Sequence, residues 1–346
     1  MSAPHGSDAK RPATTTATRR ERKALFAFPV ADRPRSRAVR RSLLSTIAAL
    51  ACTIALVAGT SAPSEAATYP VGGIGTAVSN FLFSPNAVAG ANNWGCKPNA
   101  AHPYPVVLVH ATGVNLGANW ATLSPTLANA GYCVFAFNYG MTWLSAGRVG
   151  GLGEISASAK TLQAFVDQVR TATGVSKVDL VGHSQGGMMP NYYIKFLGGA
   201  SKVHTFVGLS PSNHGTSLSG IVTLGANLNL IGFTNTLLWG FGVPGLAQQE
   251  AGSTFQKNLF AGGDTVAGPR YVVIQTTHDL VVTPYTNAFL SGPNVTNIKI
   301  QDQCPNNPVG HVGMFGDSTV IQNVLNQLGP NTAGFKAVCT GYGLPL

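Results

Sequence analysis

The stretch VDLVGHSQGG, residues 178–187, decides the fold of this chain. Its first half is apolar and β-forming, and residues 188–197, which have a helix-like apolar face, follow it. A serine between two glycines at such a strand-to-helix junction is typical of a nucleophile elbow, whose sharp turn lifts the hydroxyl clear of the sheet. Glycine is needed on both sides because a side chain there would collide with the neighbouring strand or helix. The pattern predicts that Ser184 is a nucleophile, the alternative being a chance glycine-rich turn.

The rest of the chain alternates between strand-like and helix-like stretches. Helical spacing is present in Asn119–Ala130, Glu154–Thr173 and Asp317–Leu328. Strand-like runs occur at 105–110, 132–138, 178–181, 203–209, 271–276 and 295–300. The first two are apolar almost throughout, which indicates buried parallel strands. Repeated βα units of this length predict an α/β fold with a mostly parallel central sheet and helices on both faces.

Residues 1–66 have the three-part order of a secretory signal peptide. Residues 1–42 are polar and basic, Leu43–Gly59 is apolar, and small residues lead to a cleavage site at Ala66. We therefore expect residues 67–346 to be exported as one domain without a membrane span. Two arginines before the apolar run loosely resemble a twin-arginine signal, and a permanent membrane anchor is the other alternative.

Most of the positive charge belongs to this leader. Residues 1–66 contribute +7 of the formal net charge of +10, which leaves +3 for the remainder. A remainder with so little charge has no electrostatic footprint for binding nucleic acid. It is consistent with one domain that has a large core and an apolar site.

Four cysteines remain after the leader, and an even number agrees with an oxidising compartment. They allow three pairings, of which the local one is favoured: Cys96 with Cys133, and Cys304 with Cys339. A metal site is the competing interpretation, but no CxxC or HxxxH spacing supports it. The sequence therefore predicts two disulfides, no metal and no cofactor.

A serine nucleophile needs a base and an acid, which follow a nucleophile elbow in the order acid, then histidine. His311 is the only histidine after Asp279, and Asp279 comes directly after a predicted strand, where open α/β sheets gather their site residues. We therefore predict Asp279 as the acid and His311 as the base. Asp302, also at a strand end, is the main alternative for the acid. The pair Asp264 and His278 keeps the order but is disfavoured, because Asp264 lies in a glycine-rich connection.

An oxyanion hole needs two backbone N–H donors, one of them from the residue after the nucleophile. Ser210 also ends a predicted strand, but Pro211 follows it and has no N–H, so Ser210 is excluded as the nucleophile. Gln185 after Ser184 has the required N–H. The second donor is expected at Thr112, in the turn after the first central strand. The alternative for that turn is a plain glycine turn with a surface histidine.

Five segments carry a family resemblance: PVVLVHATG (105–113), GHSQGG (182–187), SPSNHGT (210–216), THDLVVTPY (277–285) and GHVGM (310–314). Together, and in this order, they resemble the secreted bacterial lipases of the lipase class 2 family. Those enzymes are α/β-hydrolases that act on acylglycerols and other carboxyl esters. The resemblance therefore implies an α/β-hydrolase fold and a lipid or ester substrate.

The resemblance also assigns roles to residues. It carries the nucleophile to Ser184, the acid to Asp279, the base to His311, and the oxyanion donors to Thr112 and Gln185. One departure concerns the oxyanion turn, where the family usually has His-Gly and this chain has His110-Ala111. Alanine does not tolerate a positive φ as glycine does, so the shape of this turn is in question.

Residues 215–262 are expected to form a lid or an acyl-pocket insertion. The part from Gly215 to Gln249 has no charged residue and precedes the acid-bearing strand. An apolar insert beside the nucleophile suits acyl chains. A buried helical pair that fills the core is the alternative interpretation. His214, just before the insert, is expected to have a structural role rather than a place in the site.

These inferences predict a secreted, extracellular serine esterase or lipase whose catalytic domain, 67–346, forms an acyl-enzyme without a cofactor. Its expected partner is a lipid or ester substrate, with no nucleic acid. Hydrolysis of a polymer ester and acyl transfer to an acceptor other than water are the alternatives among enzymes. A non-catalytic binding fold is the alternative from another class.

Overall fold

A computed structural model describes residues 68–230 and 243–346, which belong to one compact unit. The predicted signal peptide, 1–66, lies outside these described residues. So does the segment 231–242 of the predicted insertion. The limits of the exported domain therefore stay a prediction.

The core of the fold is a six-stranded sheet whose strands all run parallel, in the order β2-β1-β3-β4-β5-β6. The strands are β1 Val106–Val109, β2 Val134–Phe137, β3 Val178–His183, β4 Val203–Leu209, β5 Arg270–Gln275 and β6 Val295–Lys299. Each coincides with a strand-like run of the sequence to within two residues. The first three strands are buried along their whole length, which explains why their sequences are so apolar. The prediction of a mostly parallel α/β sheet is confirmed.

Ten α-helices are described, and they cover both faces of the sheet. They are α1 Ile74–Phe83, α2 Leu116–Asn119, α3 Leu123–Asn129, α4 Ile155–Thr173, α5 Gln185–Phe196, α6 Leu218–Leu230, α7 Pro244–Ala247, α8 Thr254–Phe260, α9 Ile300–Gln303 and α10 Ser318–Leu328. The alternation of strand side chains divides the core in two. Val107 and Val109 pack with α4 and α5 on one face, whereas Val106 and Leu108 pack with α3 and α10 on the other.

One helix prediction is wrong in detail, because Asn119–Ala130 is not continuous. α2 ends at Asn119 and α3 begins at Leu123. Pro125 has no N–H to donate to the carbonyl of Ala121, four residues earlier, and its ring disfavours an unbroken helix. The Ala121 carbonyl instead accepts from the N–H of Gly72 at 3.0 Å. A proline three residues into the second helix is the physical reason for the break.

Two disulfides join neighbouring segments. Cys96 is bonded to Cys133 and Cys304 to Cys339, with Cα–Cα distances of 5.7 and 5.5 Å. This is the local pairing that the sequence favours. On the loop-entropy model each bond stabilises the fold by about 3–4 kcal/mol.

In residues 68–230 and 243–346, no helix has both the length and the apolar character needed to cross a membrane. The loops at the carboxyl ends of β1, β3 and β5 carry Thr112, Ser184 and Asp279 respectively. In a parallel sheet these ends share one edge, which is where open α/β sheets bind their ligands. The fold therefore places three predicted site residues at the same edge.

Candidate active site

Ser184 occupies a sharp turn between β3 and α5. Its φ of +57° and ψ of −122° are unusual for any residue but glycine, and strain of this kind clusters at functional sites. The flanking glycines are explained by contact. A Cβ on Gly182 would overlap the carbonyl oxygen of Gly186, and one on Gly186 would overlap the carbonyl oxygen of Val109. The turn can form only with glycine at both places, as the sequence predicts.

The structure brings Asp279 and His311 together. Oδ2 of Asp279 lies 2.9 Å from Nδ1 of His311, and both side chains are buried. Oδ1 of Asp279 accepts from the backbone N–H groups of Val281 and Val282, at 2.9 and 2.8 Å. These two bonds fix the carboxylate in the turn after β5, so that its other oxygen faces the imidazole.

The other ring nitrogen of His311, Nε2, is buried and makes no hydrogen bond with any described residue. Since Nδ1 faces a carboxylate, it carries the ring proton, and Nε2 is the basic nitrogen. His183, the neighbour of Ser184, lies beside it: the two histidine rings are 5.3 Å apart. The base candidate therefore lies beside the Ser184 turn, although no hydrogen bond between Ser184 and Nε2 of His311 is present among the described residues.

His183 also supports the backbone of the base. Its Nε2 lies 3.0 Å from the carbonyl oxygen of His311, and its Nδ1 lies 3.3 Å from Oδ1 of Asn119. Burial, and secondly the neighbouring His311, lower the pKa of His183 to about 3. His183 is therefore neutral at ordinary pH and has one proton to donate, which the shorter contact assigns to Nε2.

The two predicted oxyanion donors have backbone N–H groups that no described residue accepts from. Within the described residues, neither the N–H of Thr112 nor that of Gln185 is hydrogen-bonded. Their side chains are held in place: Oγ1 of Thr112 accepts from Gln249 at 3.0 Å, and Nε2 of Gln185 donates to the carbonyl of Gly151 at 2.9 Å. Unpaired buried N–H groups at such a turn are suited to a developing oxyanion.

Alanine fits the oxyanion turn without strain. Ala111 has a negative φ, and the positive φ of this turn falls on Gly113, at +83°. The N–H of Ala111 donates to Oδ1 of Asn119 at 2.8 Å. The departure from the His-Gly pattern therefore does not distort the backbone here.

His110, before Ala111, is a buried structural histidine rather than the surface residue of the alternative interpretation. Its Nδ1 lies 2.8 Å from the Ala111 carbonyl oxygen, and its Nε2 accepts from the N–H of Tyr139 at 3.3 Å. The ring stacks on that of Tyr139 with centroids 4.4 Å apart. Burial lowers the pKa of His110 to about 4, so the imidazole is neutral.

Because His110 and His183 are buried and neutral, we expect the stability of the fold to decrease in acid. An unfolded histidine binds a proton near pH 6.5, whereas folded His110 resists protonation down to about pH 4 and His183 to about pH 3. In that window the unfolded state binds more protons, so stability is lost as the pH falls. In urea titrations, replacing His110 with Gln should remove about 1 kcal/mol per pH unit from the slope near pH 5. An unchanged slope would contradict the assignment of His110 as buried and neutral.

The alternatives for the acid have other partners. Asp302 lies on α9, and its exposed carboxylate pairs with Lys299 at 2.7 Å. Asp264 lies 3.4 Å from Nε2 of His214 and accepts from the N–H and hydroxyl of Ser291. No contact joins Asp264 to His278, although both are described. His214 therefore has the structural contact that the sequence analysis expects.

Apolar side chains lie beside the candidate triad. A narrow cavity of about 20 Å³ is bordered by His311, Thr112, Leu224 of α6 and Phe315. Leu224 belongs to a buried cluster whose other members include Ala111, Val114, Val149, Leu152, Val281 and Val312. Part of the predicted insertion thus contributes to the wall of the site, and its role as a lid stays a prediction. No group of three His, Cys, Asp or Glu side chains in the described ranges could hold a metal ion.

Residues 103–324 match the sequence model of a family described as lipase, class 2. The chain belongs to the class 2 lipase family. Over 157 residues it is 36% identical to a triacylglycerol lipase of Burkholderia plantarii, an alignment that covers 44% of this chain and 37% of that one. A triacylglycerol lipase of Pseudarthrobacter phenanthrenivorans is 39% identical over 98 residues, which are 27% of this chain and 28% of the relative. The chain thus spans about a third of the length of these two curated relatives.

A solved structure is similar in fold. Lipase B of Aspergillus fumigatus superimposes with a TM-score of 0.56 at 20% identity, over 76% of this chain and 58% of that one. At this level of identity the likeness concerns the fold alone. It agrees with the parallel sheet and the helices described above, so this member of the family has an α/β-hydrolase fold.

Sequence reasoning missed one support of the candidate site, the segment 341–346. The N–H of Gly310 donates to the carbonyl of Leu344 at 2.9 Å, and that of Val312 to the carbonyl of Leu346 at 2.6 Å. Backbone therefore pairs with backbone on both sides of His311. A Cβ on Gly313 would overlap the Leu344 carbonyl, so this glycine permits the close approach. The glycines around His311 were the only sequence signal of that contact.

The disulfide Cys304–Cys339 ties together the two segments that pair around His311. Cys304 precedes the His311 loop, and Cys339 precedes residues 341–346. Loss of this disulfide should therefore misplace the base before it unfolds the domain, and a shift of about 1 Å can cost roughly 100-fold in rate. Cys96–Cys133 lies at the opposite edge of the sheet, before β2. Its loss should lower Tm by roughly 10 °C and leave kcat nearly unchanged.

The measurement compares kcat and Tm of the double variants Cys304→Ser/Cys339→Ser and Cys96→Ser/Cys133→Ser at room temperature. Each variant serves as the control for the other, because both lose one bond that closes a loop of similar length. Equal losses of kcat in the two folded variants would contradict a specific link between Cys304–Cys339 and the base.

Proposed function

We propose that this chain is a secreted serine esterase or lipase that hydrolyses carboxyl esters of acylglycerols through Ser184, His311 and Asp279. The observation that carries the proposal is the buried 2.9 Å contact between Asp279 and His311 at the edge where the strained Ser184 turn stands. Membership of the class 2 lipase family supports the same reaction class. Fold alone would not, since one fold supports many functions.

The first half of the reaction forms an acyl-enzyme. Oγ of Ser184 attacks the ester carbonyl carbon while Nε2 of His311 takes the hydroxyl proton. Asp279 stabilises the resulting imidazolium through Nδ1. The carbonyl electrons move to the oxygen, which accepts from the N–H groups of Thr112 and Gln185. When the tetrahedral intermediate collapses, the alcohol leaves with the proton from His311.

The second half repeats these steps with water. Nε2 of His311 takes a proton from water, whose oxygen attacks the acyl carbon, and the same N–H groups receive the second oxyanion. The Ser184 oxygen then leaves with the proton, and the carboxylic acid is released. Each oxyanion donor contributes about 3–4 kcal/mol to the transition state in enzymes of this kind.

The side chains beside the site favour an apolar acyl group. Leu224, Val312 and Phe315 border the cavity next to His311, and Val114 borders it beside the oxyanion turn. Burying a methylene group in such surroundings stabilises the bound substrate by about 0.8 kcal/mol. We therefore place the acyl carbons next to the ester carbonyl against these side chains, and the alcohol part toward solvent.

Export of the protein is part of the proposal. Residues 1–66 have the order of a signal peptide, and the two disulfides are compatible with an oxidising compartment. The bacterial origin of the triacylglycerol lipase relatives is also compatible with it. Peptide sequencing of protein recovered from culture medium should find a new N-terminus at Ala67 or Thr68.

The test of the function is hydrolysis of p-nitrophenyl esters with acyl chains of two to sixteen carbons, with triacylglycerol emulsions in parallel. We expect saturable hydrolysis, with kcat/KM that depends on chain length. Release of acyl product only when an alcohol acceptor is present would favour the acyltransferase alternative. Absence of activity on every ester would refute the proposal.

A further inference from the structure

Gln275 is the last residue of β5, and its buried amide links the acid to other segments. Its Nε2 donates to Oδ2 of Asp279 at 3.2 Å and to the carbonyl of Tyr285 at 3.0 Å. Its Oε1 accepts from the hydroxyl of Ser210 at 2.5 Å and from the N–H of Thr276 at 3.0 Å. Every polar atom of this amide therefore has a partner.

The neighbours of the amide fix its orientation. The N–H of Thr276 can only donate, and the carbonyl of Tyr285 can only accept. If the amide were turned over, Oε1 would face both the Tyr285 carbonyl and the Asp279 carboxylate with no hydrogen between them. Nε2 must therefore point at Asp279.

Ser210, which the sequence excludes as a nucleophile, is the residue that holds Gln275 from the other side. It is fully buried at the end of β4 and has a φ of +42°. For a serine this conformation costs on the order of 1–3 kcal/mol and persists only where the surroundings impose it. Its N–H donates to the carbonyl of Ile274 at 2.9 Å, so backbone and hydroxyl both bind the last two residues of β5.

From these contacts we infer that Gln275 and Ser210 are positioning residues that hold Oδ2 of Asp279 in line with Nδ1 of His311. The inference rests on the proposed function, because it concerns the same site. It adds a hydrogen-bonded chain, from Ser210 through Gln275 to Asp279, to the candidate triad, so that five side chains are involved together with His311 and Ser184.

The reason is the way the carboxylate is anchored. Two backbone N–H groups hold Oδ1, but among the described residues Oδ2 has only His311 and Gln275 as partners. Without the amide, the carboxylate can pivot about Oδ1 and draw the imidazole with it. Substrate does not touch Asp279, so the damage falls on kcat and not on KM.

The first variant is Gln275→Met, which keeps the length of the side chain but has no hydrogen-bond donor. We expect kcat for a p-nitrophenyl ester to fall by roughly 10- to 30-fold, with KM within about twofold. The loss should be the same at every pH because methionine does not titrate. Circular dichroism and Tm establish that the variant is folded.

The second variant, Gln275→Glu, keeps an acceptor for Ser210 but faces Asp279 with a second carboxylate. Two buried carboxylates so close cannot both ionise easily, and they share a proton until the pH is raised. While it is protonated, the introduced carboxyl still donates to Oδ2 as the amide does, but once both groups ionise they repel and Oδ2 loses this donor. We expect activity within about tenfold of wild type near pH 6 that falls to about 100-fold below wild type near pH 9. A merely structural role for Gln275 would not give a loss that appears only as the pH is raised.

The other titratable groups near Gln275 do not account for the pH dependence expected of Gln275→Glu, which therefore comes from the introduced carboxyl and Asp279. His183, against the His311 ring, is neutral throughout the assay, since burial lowers its pKa to about 3. Lys299 pairs in register with Gln275 on β6, and Asp302 holds its ammonium group and raises its pKa. His278, next to Asp279 in the chain, is exposed.

The matched control is Gln303→Glu. Gln303 is a partly buried amide with bonds on both sides, to the Asn323 side chain at 3.1 and 2.8 Å, and it contacts none of the five side chains. We expect its pH profile to match wild type. Ser210→Ala and Ser210→Gly test the far end of the chain, since both lose the hydroxyl and glycine also relieves the positive φ. Both should lower kcat by roughly 3- to 10-fold.

Each outcome decides the inference. A kcat loss in both Ser210 variants, with the pH-dependent loss in Gln275→Glu alone, supports it. Wild-type kcat in Gln275→Met, a pH-independent loss in Gln275→Glu, or full activity in Ser210→Gly would overturn it. Esterase activity in the wild type that is lost in Ser184→Ala tests the proposed function separately. The proposed function would therefore remain supported even if Gln275 and Ser210 had no positioning role.

Discussion

Ser184→Ala should fold as the wild type does and lose at least about 10⁴-fold in kcat toward p-nitrophenyl esters. The hydroxyl is the atom that bonds to the acyl group, and nothing else at the turn can replace it. The backbone is expected to tolerate the change, because the strained φ of +57° is set by the glycine contacts around it and not by the hydroxyl. The measurement is initial rate at saturating substrate, with Tm as the control for folding.

Ser210→Ala is the matched control for this result. Ser210 is also a buried serine at a strand end with a positive φ, but Pro211 after it supplies no oxyanion donor. It should lose at most about tenfold in kcat, because it acts only through Gln275 and Asp279. Near-full activity in Ser184→Ala, with a large loss in Ser210→Ala, would identify Ser210 as the nucleophile and contradict the assignment of Ser184.

Asp279→Asn should lower kcat by roughly 10³- to 10⁴-fold with little change in KM. The amide would still accept from Val281 and Val282 through its oxygen, which turns its NH₂ group toward His311. His311 would then accept at Nδ1 and carry its proton on Nε2, where it cannot take the serine proton. The loss comes from the wrong tautomer and not from unfolding.

Asp302→Asn tests the alternative acid. Asp302 contacts Lys299 on the surface, and its removal breaks an exposed ion pair, which water and salt screen strongly. We expect kcat within about twofold of wild type. A large loss in Asp302→Asn, together with a mild effect of Asp279→Asn, would transfer the acid role to Asp302.

The sheet was predictable from the sequence because parallel strands buried on both faces leave a strong apolar signal. Val106–Val109 and Val134–Phe137 stand out in this way, and the register between them follows from the fold. The helix break at Pro125 was not predicted, since apolar spacing continues across it. α1 was also missed, because it packs at the rim through only two buried side chains, Ala77 and Phe81.

The candidate site was predictable to the extent that it contains charged or strained residues. Acidic side chains and histidines are so few after the leader that elimination leads to Asp279 and His311. Gln275 could not be found in this way, because it is neutral and reads as part of an apolar strand. Its partner Ser210 is 65 residues away, so only the folded structure reveals their contact.

The assignment of Ser184 as the nucleophile is tested most directly by reaction with an alkyl phosphonate that traps a serine nucleophile, followed by peptide mapping. We expect one phosphonyl group per chain, attached to Ser184, with loss of esterase activity in proportion to labelling. Labelling should be abolished in Ser184→Ala and strongly slowed in Asp279→Asn, because the base must be oriented for Ser184 to attack. Attachment to any other residue, or full activity in a fully labelled protein, would contradict the assignment.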